Sequence, residues 1–211
     1  IVQAGPTLWP LDQAAGVLRH YSQFIGGAPE NVTGFFAFLT VPPVPLFPQE
    51  LHLKKHCGVV WCSTASPEDT EKALKPMRQF GKPAFDHVGP VPFPMFQSMF
   101  DGLYPPGLQW YWKGDFVKEL SPKAIDLHVE HGAKLPTMHS TMHLYPLDGA
   151  AGRVPNADTA FNHRDAKWAG VIVGVDPDPA NKDKIVSWTR DYWKALHPYS
   201  SGGAYVNFMM D

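Results

Sequence analysis

The chain of 211 residues has two cysteines, a net charge close to zero and no long apolar run. Two cysteines, Cys57 and Cys62, cannot build a disulfide framework, and neither has the flanks of a thiol protease. Lys plus Arg is 18 against 20 for Asp plus Glu, a net charge of −2. That balance argues against a nucleic-acid or anionic-membrane surface, which needs a cationic excess. No segment approaches the ~18 apolar residues of a membrane-spanning helix. Neither G-x-G-x-x-G nor G-x-x-x-x-G-K occurs, so the usual loops that cradle nucleotide phosphates are missing. A G-x-S-x-G nucleophile elbow is missing too.

What the chain does have is proline and aromatic rings. Proline accounts for 22 of 211 residues, about twice its usual ~5% share. Aromatic residues make up 13%, with seven Trp. Neither class is confined to a low-complexity tract, so the prolines read as punctuation between apolar segments. With 44% hydrophobic and 18% charged residues, the chain is apolar enough for a packed globule. Ile1 to Pro6 read as a strand already under way, and Met209-Met210-Asp211 stop without a polar tail. The expectation is therefore a piece excised from a longer protein. With no signal segment in view, a cytoplasmic location is expected.

Helical periodicity follows Pro10 at Leu11, Ala14, Leu18, Tyr21 and Ile25, and Gly26-Gly27 closes it. Ser66-Pro67-Glu68-Asp69 is a helix start, followed by Ala73, Leu74, Met77 and Phe80, with Pro76 expected to kink the segment. Ser121-Pro122 opens a third helix with Ile125, Leu127 and Val129 on its buried face, closed by Gly132. A fourth spans Pro179 to Leu196, and an aromatic segment at Pro94 to Leu103 reads as a short fifth. Strands are expected at Val32–Val41, Cys57–Ala65, Leu108–Phe116, Thr137–Tyr145, Lys167–Val175 and Ala204–Met209. Several strands follow one another without βαβ alternation. The predicted class is α+β, a mainly antiparallel sheet with helices packed on one face, forming a single domain over 1–211.

The segment Thr137 to Tyr145 carries most of the chemistry. Alternation puts Thr137, His139, Thr141, His143 and Tyr145 on one face, and Met138, Ser140, Met142 and Leu144 on the other. The polar face can line a pocket and supply a base; a solvent-facing strand with incidental histidines fits the spacing as well. A metal reading of the ten histidines fares poorly. Along a strand, His139 and His143 stand about 13 Å apart at ~3.3 Å per residue, too far for one ion. Trp110-Tyr111-Trp112-Lys113 alternates as well, with Tyr111 and Lys113 on one face as either a pocket rim or the edge of a core.

Two stretches go beyond pattern. Gly149 to Asp165, containing Arg153, Thr159, Phe161, His163 and Arg164, is one; Tyr192 to Phe208, containing Leu196-His197-Pro198-Tyr199 and Gly202-Gly203-Ala204-Tyr205, is the other. Together with Cys57-Gly58-Val59-Val60-Trp61, Gln97 to Asp101 and Tyr104-Pro105-Pro106-Gly107, they resemble the substrate and C-terminal part of berberine bridge enzyme-like FAD-linked oxidases, flavoproteins of the vanillyl-alcohol-oxidase type, in their bacterial branch. The resemblance implies an FAD-binding domain upstream, as a partner in cis that holds most of the cofactor. It implies that this chain, including a C-terminal segment at about 190–211, is the substrate domain of an FAD-dependent oxidoreductase and is inactive alone. Hydride would pass from a C–H next to a hydroxyl or amine to flavin. Tyr205 and Asn207 match a flavin-side strand, and His143 falls where plant members place an acidic or amide active-site residue. Phe208 stands where the family often has a tyrosine proposed as base, and an apolar ring takes no proton. The position the resemblance implies coincides with the polar strand face, which makes His143 the catalytic candidate, with His139, Thr141, Tyr111 and Lys113 as expected substrate contacts. A small-molecule substrate is expected, with no nucleic acid, no membrane and no metal; self-association stays open. The competing reading is a free-standing α+β binding module without catalysis.

Overall fold

The computed structural model describes residues 1–210. Eight strands form one sheet: β1 (Val2–Pro10), β2 (Val32–Thr40), β3 (Lys55–Ser63), β4 (Phe85–Asp86), β5 (Gly89–Val91), β6 (Gln109–Val117), β7 (Thr141–Pro146) and β8 (Trp168–Asp176). Their order is β4-β1-β3-β2-β7-β8-β6, with β5 also on β1, and every pairing is antiparallel. Six helices accompany it: α1 (Ala14–Ile25), α2 (Pro67–Arg78), α3 (Phe93–Gln97), α4 (Pro122–Gly132), α5 (Gly149–Arg153) and α6 (Lys182–Leu196). The α+β architecture is the one expected.

Helix starts follow the sequence signals. The Ser66 hydroxyl accepts from the Asp69 N–H at 3.1 Å, and Ser121 accepts from the Ala124 N–H at 3.2 Å. Each is followed by proline at the first helical position, where the missing N–H costs nothing. Pro76 lies in the last turn of α2, so the helix ends soon after it.

One face of the sheet is closed by α1, α2, α4 and α6. Phe36, Phe38, Trp61, Met142 and Leu144 project from the strands into that core and meet Leu18, Tyr21, Ile125 and Tyr192. The approach of α4 is close enough to require glycine. A Cβ on Gly132 would stand 2.5 Å from the Phe38 ring. The buried face of α4 is Ala124, Ile125, His128 and Gly132, while Leu127 and Val129, expected there with Ile125, are only partly buried. His128 Nδ1 lies 2.8 Å from the Tyr192 hydroxyl, which itself donates to the His128 carbonyl at 3.1 Å. That exchange satisfies a buried polar side chain.

Two expected strands are altered. β7 begins at Thr141, because the preceding turn bonds through side chains: the Val175 N–H donates to Ser140 Oγ at 3.1 Å, and the Ser140 hydroxyl donates back to the Val175 carbonyl at 3.4 Å. Ala204–Met209 does not form a strand. The chain turns at Gly202 and Gly203, both at positive φ, and Val206–Phe208 is a 3₁₀ turn. The Phe116 N–H donates to the Gly203 carbonyl at 3.1 Å, which ties this segment to the end of β6.

Gly132→Ala should lower stability by about 1–3 kcal/mol by forcing a methyl into the Phe38 ring, read as a lower urea midpoint with unchanged slope. Burial pushes His128 down to about 3 and His143 down to about 4, whereas an unfolded imidazole titrates near ~6.5. Between those values the unfolded chain binds more protons, so stability rises with pH. Urea midpoints should therefore drop between about pH 6.5 and about pH 4, and His128→Leu should flatten that drop. An equally steep dependence in the variant would show that His128 is not a source of it.

Candidate functional site

The face of the sheet turned away from the helices is organised by one row of residues. Register aligns Leu8 with Gly58, Gly58 with Ala37, Ala37 with His143, His143 with Val171, and Val171 with Gly114. All six project to the same side. Gly58 and Ala37 carry little or no side chain, so the floor is low on one side of His143. Two segments wall it in: the loop 42–47, and 96–104, which runs from the end of α3 through a 3₁₀ turn at Asp101–Leu103. They leave an open groove of about 650 Å³, within the ~300–1,000 Å³ typical of small-molecule sites.

On the other side of His143 the floor is filled. Gly114 admits the returning C-terminal segment: a Cβ there would lie 3.0 Å from the Cβ of Phe208. The Phe208 ring stacks against Tyr145 with centroids 6.0 Å apart. His143 thus stands at the boundary between a covered and an open half.

His143 Nδ1 lies 2.8 Å from the Tyr145 hydroxyl, and its ring is 5.0 Å from that of Phe35. Removal from water disfavours the imidazolium and pushes His143 down to about 4. Burial, with the neighbouring Tyr104 adding to it, pushes the Tyr145 phenol up to about 12. Around neutral pH the pair is a neutral imidazole and a protonated phenol. Nδ1 is taken by Tyr145, and Nε2 makes no hydrogen bond among the described residues. A neutral imidazole with one unpaired nitrogen can accept or donate one proton there. Tyr104, whose phenol burial also raises and Thr141 hydrogen-bonds, donates to the His139 carbonyl at 3.4 Å.

The structure brings His139, Thr141 and His143 together on the groove. Thr141 and His143 come from β7, and His139 comes from the turn before it, with its ring 6.3 Å from Tyr104. Tyr111 and Lys113 are not brought there. They pair with Gly174 and Ile172, a parity that sends them to the helix side. The Arg190 Nε–H donates to the Tyr111 hydroxyl at 2.8 Å, and the Lys113 ammonium lies 5.9 Å from the Trp193 ring centre. Tyr205 and Asn207 sit on the C-terminal turn. The Asn207 amide donates to the Tyr205 hydroxyl at 2.7 Å, and the Tyr205 ring meets Phe208 at 5.1 Å. Sequence reasoning missed Tyr145 as the partner of His143, although its i+2 spacing on a strand signals a shared face. It also missed Tyr104 and Phe100 as wall residues: Phe100 lies within the segment read as a short helix and Tyr104 just beyond it, and neither position by itself signals a groove. No group of three His, Cys, Asp or Glu residues suited to a metal occurs among the described residues. No helix there is long and apolar enough to cross a membrane.

No family model matches the chain. An FAD-linked oxidoreductase of Dictyostelium discoideum is 30% identical over 140 residues, 63% of this chain and 31% of that protein. The uncharacterized FAD-linked oxidoreductase YgaK of Bacillus subtilis (strain 168) is 31% identical over 144 residues, 66% of this chain and 31% of that protein. The chain thus spans about a third of the length of the curated relatives it matches. Among solved structures, the berberine bridge enzyme-like protein 28 of Arabidopsis thaliana superimposes with a TM-score of 0.78 at 15% identity, over 99% of this chain and 45% of that one. The chain has the fold of the corresponding part of a berberine bridge enzyme-like structure, and its curated relatives are FAD-linked oxidoreductases.

Proposed function

We propose that this chain is the substrate-binding part of an FAD-dependent oxidoreductase that oxidises a C–H next to a hydroxyl or amine, with His143 as the proton acceptor. The observation that carries the reading is the neutral His143–Tyr145 pair at the floor of a groove large enough for a small molecule. The likeness to berberine bridge enzyme-like structures supports it.

The groove suits one end of FAD and not the other. No Lys or Arg lines it among the described residues, so it offers nothing to a pyrophosphate. Its low apolar floor at Ala37 and Gly58 suits a flat ring. On this reading Tyr205 and Asn207, on the turn beside Tyr145, make polar contacts to the ring. The phosphates fall to a domain outside this chain, the proposed partner in cis. FAD, when bound, supplies the acceptor for hydride.

The residues of the chain then have distinct tasks. The Phe35 and Phe100 rings orient the substrate, and the largely apolar walls offer water few partners. His143 Nε2 takes the hydroxyl or amine proton as the C–H bond breaks and the C=O or C=N bond forms; both electrons of the C–H bond leave with the hydride. Proton acceptance at Nε2 requires the tautomer in which Nδ1–H donates to Tyr145. A group with a pKa of about 4 is a weak base, but it is free of its proton throughout the neutral range. The departing hydride makes the hydroxyl strongly acidic, so a weak base is enough at that moment.

In the intact protein, His143→Ala should lower kcat by roughly 10²–10⁴-fold while the absorbance of bound flavin is kept. Unchanged turnover would remove His143 from the mechanism. The value of kcat/KM should be flat through neutral pH and fall only as pH drops through about 4, because protonated His143 accepts nothing. A midpoint near ~6.5, the value of a solvated imidazole, would contradict a buried acceptor.

A further inference from the structure

The walls of the groove restrict what can react at His143. Among the described residues, no Asp, Glu, Lys or Arg lines it. A carboxylate or ammonium entering the groove would lose its water and gain no counter-charge. Hydrogen-bonding capacity is equally sparse. The Tyr104 hydroxyl is engaged with the His139 carbonyl and with Thr141, and His143 Nδ1 with Tyr145. The polar groups left to a ligand near the floor are His143 Nε2 and the His139 ring beside it. Thr40, Thr141, which is engaged with Tyr104, and the exposed Gln97 are the further polar side chains on the lining. A molecule with many hydroxyls would leave most of them unpaired, and each unpaired group weakens binding. The rest of the wall is apolar and largely aromatic. Phe35 and Phe100 meet at 6.3 Å to form a corner, with Leu39, Leu46 and Met99 around it.

Resting on the redox reading above, we infer that the substrate is a neutral, largely apolar molecule that lies against Phe35 and Phe100 and presents one hydroxyl to His143. The hydroxyl branch of the reaction is thereby chosen over the amine branch, since an alkylamine is cationic at neutral pH. Sugars and carboxylates are excluded. The alcohol would be oxidised to the carbonyl, its hydroxyl proton passing to His143 and its hydride to the acceptor that FAD would supply.

Four probes test this on the intact, flavin-loaded protein: 2-naphthalenemethanol, 2-naphthylmethylammonium, 2-naphthoate and cellobiose. Dissociation constants come from equilibrium dialysis, and flavin bleaching without oxygen reports oxidation separately. Naphthalenemethanol should bind at least about tenfold more tightly than either ionised probe, and cellobiose should not bind. Leu46→Arg, at the exposed lip of the groove, should raise naphthoate affinity at least about tenfold with flavin content unchanged. If cellobiose or an ionised probe binds the unaltered protein as tightly as naphthalenemethanol, the substrate class is wrong. Selective binding of naphthalenemethanol without flavin bleaching upholds the class and sinks the redox reading. Bleaching by cellobiose or the ammonium does the reverse.

Discussion

The row Leu8, Gly58, Ala37, His143, Val171 and Gly114 decides what the free face of the sheet can do. Small residues on one side of His143 leave a groove, and Gly114 on the other lets Phe208 close the floor. The alignment is held from the opposite face. Met142 and Leu144 flank His143 in sequence and are fully buried under the helices, each contributing about 1.5–3 kcal/mol. A slip of one residue in β7 would exchange these for His143 and Tyr145. An imidazole would then face the core and a thioether the groove. Packing on one face of the sheet thus enforces chemistry on the other.

Burial that shapes the groove also sets the charge state of its polar end. His143 is kept neutral and Tyr145 protonated by the same removal from water. A neutral, hydrogen-bonded pair is less costly to bury than an ion, so the site can be apolar elsewhere without a counter-ion. The turn that carries Tyr205 and Asn207 reaches the same neighbourhood only because Gly202 and Gly203 take positive φ and β6 supplies a place to dock. In the proposed enzyme, the polar end, the apolar groove and the C-terminal turn form one continuous surface.

Much of this was legible in the sequence. Alternation at 141, 143 and 145 placed Thr141, His143 and Tyr145 on a common face, because a period of two is a property of the strand itself. Ser66-Pro67 and Ser121-Pro122 marked two helix starts because capping is local. Tyr111 and Lys113 show where such reading ends. Their parity on β6 was visible, but which parity faces the helices is decided by pairing with β8, a partner over fifty residues away. His139 was assigned to a strand that side-chain bonds from Ser140 replace with a turn. Ala204–Met209 has strand composition, yet it curls into a 3₁₀ turn whose Phe208 packs over Gly114 of β6. The groove walls are a loop at 42–47 and, over 96–104, the end of a short helix with a 3₁₀ turn; both are too short for periodicity to show which face they present, so tertiary contact positions them.

The account stands on His143 meeting the reacting hydroxyl on the free face of the sheet. A structure of the intact protein with flavin and a bound neutral alcohol tests that most directly. The hydroxyl oxygen should lie roughly 2.6–3.2 Å from His143 Nε2, with the apolar body along Phe35. An alcohol bound on the helix side, or in the groove with its hydroxyl turned away from His143, would contradict it.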